Sequence, residues 1–222
     1  MRKFSAIITG STGMVGKAVL LECLDHPQVE RVLVVNRRPL GMKHPKLRED
    51  VVEDFREVGH LQNSFADYDA CFYCAGVSVL GKSEEEYRAI TYDLTKIFAE
   101  TCHAANPEMV FNYVSGDGTD STEQGGTMWA RVKGATENLI LEMGFRDAYA
   151  FRPGAILPER GIKSSTGWYN AIYVVMRPFF PLLRRLDSII TTTQFGRAMI
   201  QSVLRGAEKK HLTNRDIARL AV

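Results

Sequence analysis

Thr9-Gly10-Ser11-Thr12-Gly13-Met14-Val15-Gly16 stands between two apolar stretches, Phe4-Ser5-Ala6-Ile7-Ile8 before it and Lys17-Ala18-Val19-Leu20-Leu21-Glu22-Cys23-Leu24 after it. The first reads as a strand and the second as an apolar-periodic helix. Glycines are needed in such a turn for three reasons. The chain must reverse sharply, its backbone must approach a pyrophosphate, and the new helix must lie against its own strand. The free N–H groups and positive dipole end of that helix then face an anion. The spacing is Gly-x-x-Gly-x-x-Gly rather than the commoner Gly-x-Gly-x-x-Gly. A glycine triplet alone also fits an ordinary strand-to-helix turn. Its place at the start of a strand–turn–helix unit favours phosphate binding.

Working outward, Val29–Val35 is a continuous apolar run, as expected of a strand covered on both faces of a parallel sheet. It ends in Asn36-Arg37-Arg38, where a dinucleotide fold meets the adenosine ribose. An acidic residue there would bind the ribose 2′-hydroxyl and repel a 2′-phosphate. Two arginines instead favour the phosphate, so NADP(H) is expected ahead of NAD(H). The alternative is a solvated basic turn. A third strand is expected over Leu47–Asp54, with Asp54 and Phe55 at its carboxyl end, and Glu57–Ser64 as a helix or turn. Asp69–Ala75 is the fourth strand, and Ala75-Gly76 would let backbone approach a ligand. Ser83–Ala105 reads as one long helix with Ser83 as N-cap. Met109–Ser115 is the fifth strand and Thr127 to about Met143 a helix. Ala148–Arg152 is the sixth strand, ending at Pro153-Gly154. Alternating strands and helices mean an α/β, Rossmann-type, doubly wound parallel sheet.

The 161–186 stretch breaks this pattern. Trp168-Tyr169-Asn170-Ala171-Ile172-Tyr173-Val174-Val175-Met176 is apolar, and arginines and prolines follow it. Its runs are too short and interrupted to span a bilayer. Two readings stay open: residues 157–190 form a helical lid over a substrate pocket, or 161–186 meets a membrane or protein partner. Thr191–Leu204 then reads as a helix.

The 222 residues suit a single nucleotide-binding domain spanning 1–222, and a net charge of +2 argues against nucleic-acid binding. The first strand begins within four residues of Met1, which leaves no room for a signal peptide. Cys71 and Cys74 have C-x-x-C spacing but lie in an apolar strand, where residues three apart face opposite sides. The five histidines show no metal-ligand spacing, so no metal is expected. A reduced, cytoplasmic protein is expected.

Several of these residues together resemble the short-chain dehydrogenase/reductase superfamily. The carriers are the glycine loop, Asn36-Arg37-Arg38, Cys74-Ala75-Gly76, Tyr113-Val114-Ser115, Val132-Lys133-Gly134 with Glu137, and Phe151-Arg152-Pro153-Gly154. Within it, the chain is similar to the atypical branch of TIP30-like and bacterial epimerase-like NAD(P)H-binding proteins. The resemblance implies a set of roles. Gly10, Gly13 and Gly16, with Ser11 and the backbone of Thr12, Met14 and Val15, would hold the pyrophosphate. Arg37 and Arg38 would take the 2′-phosphate, and Asp54 and Phe55 would flank adenine. Cys74, Ala75 and Gly76 would pass beside the adenosine ribose. Lys133 would bind nicotinamide-ribose hydroxyls, and the backbone of Pro153, Gly154, Ala155 and Ile156 would meet the carboxamide. Ser115 would hydrogen-bond a substrate carbonyl. Many relatives use two of these helices as a dimer face, so a monomer or a homodimer is implied.

The departure is at Trp129. The family's catalytic pair is Tyr-x-x-x-Lys, and this chain has Trp129-Ala130-Arg131-Val132-Lys133. A phenol can pass a proton to a carbonyl oxygen, whereas an indole N–H only donates a hydrogen bond. Trp129 is therefore expected to stack or polarise rather than to repeat the proton relay. Thr91 stands where many relatives have a relay asparagine. Two functions follow: an NADP(H)-dependent reductase of a small carbonyl, with the proton from water or a side chain such as Tyr113, Tyr169 or Tyr173; or a non-catalytic NADP(H)-bound scaffold or redox sensor.

Overall fold

The computed structural model describes residues 3–162 and 189–222. Most of the proposed lid or partner segment, with Tyr169 and Tyr173, lies outside the described residues. The first half runs β1 (Phe4–Thr9), α1 (Met14–Asp25), β2 (Val29–Asn36) and β3 (Leu47–Val51). A 3-10 turn (Phe55–Leu61) leads into α2 (Gln62–Phe65), and β4 spans Ala70–Tyr73. Then come α3 (Glu84–Arg88), a π-helical turn (Ala89–Asp93), α4 (Leu94–Ala105), β5 (Val110–Val114) and α5 (Met128–Glu142). The chain closes with β6 (Asp147–Phe151), β7 (Ala155–Leu157), β8 (Ile189–Thr191), α6 (Thr192–Arg205), β9 (His211–Leu212) and α7 (Asn214–Leu220).

Seven strands form one sheet in the order β3-β2-β1-β4-β5-β6-β9, each neighbouring pair parallel. The order reverses between β1 and β4, so their carboxyl ends flank an open crevice. One face of the sheet packs Ala6, Ile8, Val32, Val34 and Phe72 against α1 and α6. The other packs Ile7, Leu33, Cys71, Tyr73, Phe111 and Tyr113 against the 3-10 turn, α2 and α4. Both faces are covered, which is why these strands read as unbroken apolar runs. Cys71 belongs to one face while Cys74 packs on the other, and all four cysteines are free thiols.

The elements depart from the expected ones in four places. β3 ends at Val51, because Asp54 leaves the sheet to cap the following turn: its carboxylate accepts from the Arg56 backbone N–H at 2.9 Å. The long helix is interrupted by the π-helical turn, which holds the buried Thr91. Its start at Ser83 carries a capping box with Glu86. A two-stranded parallel sheet of β7 and β8, and the short edge strand β9, add to the expected set.

Candidate functional site

The glycine loop is built by close contacts that only glycine permits. Gly10 sits at φ +66°, and a Cβ there would come within 2.6 Å of the Cys74 carbonyl. A Cβ on Gly16 would lie 2.2 Å from the Gly10 oxygen. The loop is pinned by Gly13 N–H donating to Gly10 O at 2.9 Å, and β4 is tied to β1 by Ala75 N–H donating to Thr9 Oγ1 at 3.1 Å. Helix α1 starts after Gly13 with no side-chain cap. Its first-turn N–H groups therefore remain for a ligand at the crevice. Thr12 is exposed, and Met14 and Val15 are part-exposed. The cradle fits a pyrophosphate.

At the end of β2 the roles divide. Asn36 is buried and faces inward: it exchanges hydrogen bonds with the buried Ser11 hydroxyl at 2.9 and 3.0 Å and donates to Glu49 Oε1 at 3.2 Å. The same Glu49 oxygen accepts from Leu40 N–H at 2.7 Å. Ser11 and Asn36 thus serve as a brace, with Glu49 as a third member that nothing in the sequence marks. Arg37 and Arg38 are exposed and make no hydrogen bond or ion pair with a described residue. Both follow the carboxyl end of β2, the strand next to β1.

Asp54 and Phe55 are placed differently from the expectation. Phe55 is buried against Phe98, with ring centroids 5.6 Å apart, so its ring belongs to the core. Asp54 also accepts from Arg56 Nε at 2.8 Å, and this hydrogen bond holds its carboxyl below the usual range. Cys74 and Ala75 are part-buried, and Gly76 is exposed with open space around it.

The carboxyl ends of β5 and β6 carry a buried ionic network. Glu137 is fully buried. It receives Arg152 Nε at 3.0 and 3.2 Å on its two oxygens, a further bond from Arg152 Nη2, and the Ser115 hydroxyl. His211 Nε2 stands 3.5 Å away on β9, and Arg152 Nη2 also reaches Ser121. The Ser115 hydroxyl has a second acceptor in Phe151 O at 3.2 Å. Its one proton is thus engaged inside the protein, whereas the family resemblance implied a bond to a substrate carbonyl. Lys133 Nζ donates to Ser115 O. Burial pulls its pKa down to about 8, and Glu137 opposes that shift.

Trp129 lies one helical turn before Lys133. Its ring rests on the 116–118 turn: a Cβ on Gly118, which has φ +80°, would sit 3.5 Å from Trp129 Cη2. Asp120 closes this loop, accepting from Thr122 Oγ1 at 2.6 Å and Gly125 N–H at 2.7 Å. Gly134 is needed because a Cβ there would meet Asp120 O at 1.7 Å. Tyr113 is buried within the aromatic core, and burial pushes its phenol pKa up, which removes it as a proton donor.

After β6 the backbone is already committed. Pro153 O accepts from Asp117 N–H at 3.0 Å, Gly154 N–H donates to Asn214 Oδ1 at 3.0 Å, and Asn214 Nδ2 donates to Ala155 O at 3.1 Å. Ile156 is buried in β7. A cavity of about 360 Å³ opens here between Asp117, Arg152, Gly154, Ala155 and Thr213–Arg215. It lies past the carboxyl ends of β5 and β6, beside β9. Asn214 and His211 lie far along the chain and carried no sequence signal. Glu137 carried one, at the fourth position after Lys133 on the same helix face. Among the described residues no cluster of His, Cys, Asp or Glu suits a metal ion, and no helix is long and apolar enough to cross a membrane.

Comparison with known proteins agrees with this geometry. Residues 6–140 match the family described as NAD dependent epimerase/dehydratase. The chain is similar to protein HTATIP2 of Rattus norvegicus, 27% identical over 72% of this chain and 66% of that protein, so the match spans just under two thirds of that relative. It is similar to the mitochondrial protein FMP52-1 of Scheffersomyces stipitis, 28% identical over 77% of this chain and 74% of that protein. Among solved structures, the Bordetella bronchiseptica enzyme WbmH in complex with NAD+ superposes with a TM-score of 0.66 at 15% identity. That superposition covers 96% of this chain and 75% of WbmH.

Proposed function

The chain belongs to the NAD dependent epimerase/dehydratase family, and from that premise we propose that it binds NADP(H) in the crevice and reduces a small carbonyl compound. The observation that carries the cofactor reading is the pair Arg37 and Arg38, unpaired and exposed at the end of β2, beside an uncapped helix α1. When bound, a nicotinamide dinucleotide supplies a hydride. The chain's own residues do the rest. N–H groups at the start of α1 hold the pyrophosphate, and the arginines hold the 2′-phosphate through charge-assisted hydrogen bonds. Lys133 reaches the nicotinamide ribose. The Trp129 indole N–H faces the reacting carbonyl, and the cavity at Asp117 and Arg152 takes the remainder of the substrate. NADPH consumption at 340 nm is followed with a panel of aldehydes, ketones and quinones, under conditions where fluorescence shows NADPH bound. Turnover of at least one carbonyl is expected. Bound NADPH with no turnover across the panel removes the reductase reading.

Trp129 supports a second reading, an NADP(H)-occupied scaffold or redox sensor whose 161–186 segment meets a protein or membrane. Association that differs between NADPH and NADP⁺ is expected in that case, because only differential affinity shifts a population. A reducing compartment, cytoplasmic or mitochondrial, fits the four free thiols.

A further inference from the structure

We propose that Lys133 Nζ itself delivers the proton that the tyrosine at position 129 would have supplied, making this lysine the general acid of the reaction. The inference rests on the reductase reading above. Among the described residues, the other groups around the β5–β6 edge are already engaged or unsuited to give a proton. Trp129 has only an indole N–H. The Ser115 proton is held by Glu137 and the Phe151 carbonyl. The Tyr113 phenol is sealed in the core. Glu137 is fully buried and paired with Arg152. His211 stands behind Glu137, on the side of the carboxylate away from Lys133's helix, and burial lowers its pKa below the ordinary value. Asp117 offers an exposed carboxylate, an acceptor.

Lys133 differs from all of these. Its Nζ lies close to Gly116, where an added Cβ would be 3.8 Å away, and the lysine is part-exposed at the carboxyl end of β5. An ammonium has three donors, and among the described residues Lys133 spends one, on Ser115 O. The others are free to reach a ribose hydroxyl and a carbonyl oxygen. The ionisable groups on the elements packed around it are Glu137 of α5, Asp117 after β5, Arg152 after β6, His211 of β9 and Glu84 of α3. Of these, Glu137 is the one that acts on its ionisation, and burial outweighs it. An ammonium so placed is mostly protonated at pH 7 yet gives up its proton far more readily than an ordinary lysine.

The step balances simply. A bound dihydronicotinamide would supply the hydride, its own C–H bond breaking as the ring is oxidised; the carbonyl carbon is reduced by the new C–H bond, and the π pair moves onto oxygen. One Lys133 N–H bond breaks, its proton forms the O–H bond, and the neutral amine regains a proton from water.

The test has two parts. First, the wild-type protein is labelled with acetic anhydride from pH 6 to 11, and the Lys133 peptide is quantified by mass spectrometry, without nucleotide. A midpoint near 8 is expected; a midpoint near the ordinary lysine value of about 10.5 overturns the proposal. Second, Lys133→Arg and Lys133→Arg/Trp129→Tyr are compared with wild type using NADPH and 9,10-phenanthrenequinone. Arginine keeps the charge but holds its proton. NADPH affinity by calorimetry is expected to stay within about threefold, with turnover down by about 100-fold or more, and the added tyrosine should restore at least about tenfold. An arginine variant that turns over like wild type, with the same pH profile, contradicts the proposal. A labelling midpoint near 8 in a protein that does not bind NADPH overturns the cofactor reading instead, and the reaction with it.

Discussion

At the scale of single residues, Gly10 is constrained twice over, by backbone conformation and by space. It combines φ +66° with a Cβ position 2.6 Å from main-chain atoms of Cys74, which cannot swing away as a side chain could. Gly10→Ala is expected to cost roughly 3 kcal/mol or more, read as a fall in urea midpoint. A midpoint within experimental error of wild type would mean that the loop is not packed as described. Lys133 carries a second expectation, in the pH dependence of stability. The unfolded lysine keeps its proton to about pH 10.5. The folded one keeps it only to about 8. Between those values the unfolded state binds more protons, so stability rises with pH across that window. Below about pH 8 the full cost of a buried charge is present. Lys133→Met should therefore exceed wild type in stability at pH 7, and the gap should shrink from pH 8 to 10. A gap independent of pH would mean that this lysine titrates normally.

At the scale of elements, the packing of α1 on α6 is set by Gly196. A Cβ there would come within 2.7 Å of Glu22 Cγ and 3.1 Å of Ala18 O. Glu22 cannot yield easily, because Arg160 at 2.9 Å and Arg197 at 3.3 Å hold its carboxylate. Gly196→Ala is expected to destabilise by roughly 1–3 kcal/mol, and Glu22→Ala in the same chain should recover part of that by opening the space. An additive double variant would place the strain elsewhere. The elements themselves were legible where periodicity had length to work with. β1, β2, β5, β6, α5 and α6 lie within one or two residues of the ranges read from apolar pattern and caps, and α1 starts three residues before the run that marked it. β7, β8 and β9 have two or three residues each, too few to show a period, and they form only because the rest of the fold brings partners alongside. The π-helical turn was invisible for a similar reason: one extra residue in a turn barely alters a helical stripe.

For the molecule as a whole, the Glu137 network joins four parts of the chain: Ser115 after β5, Glu137 on α5, Arg152 after β6 and His211 on β9. Removing one member leaves a buried charge without its partner. Glu137→Ala is expected to cost about 3–5 kcal/mol in denaturant unfolding, since Arg152 would be stranded. A loss below about 1 kcal/mol would show that the pair is not sealed from water. This network also explains what the sequence could not show of the site. Residue types and their place after a strand singled out the glycine loop, Arg37 and Arg38, and the family resemblance singled out Lys133. Nothing in residue type says that Asn36 turns inward to Ser11 and Glu49, that Phe55 enters the core, or that Asn214 occupies the Gly154–Ala155 backbone. Those placements depend on contacts between residues far apart in the chain.

The account turns on NADP(H) in the crevice between β1 and β4. Calorimetric titration with NADPH and with NADH, repeated on Arg37→Ala, tests it most directly. Hydrogen bonds to a charged phosphate contribute about 1.5–3 kcal/mol, so wild type should bind NADPH about ten- to a hundredfold more tightly than NADH. Arg37→Ala should lose most of that preference while leaving NADH affinity nearly unchanged. Equal affinity for the two nucleotides in wild type, or binding of neither, would contradict the account.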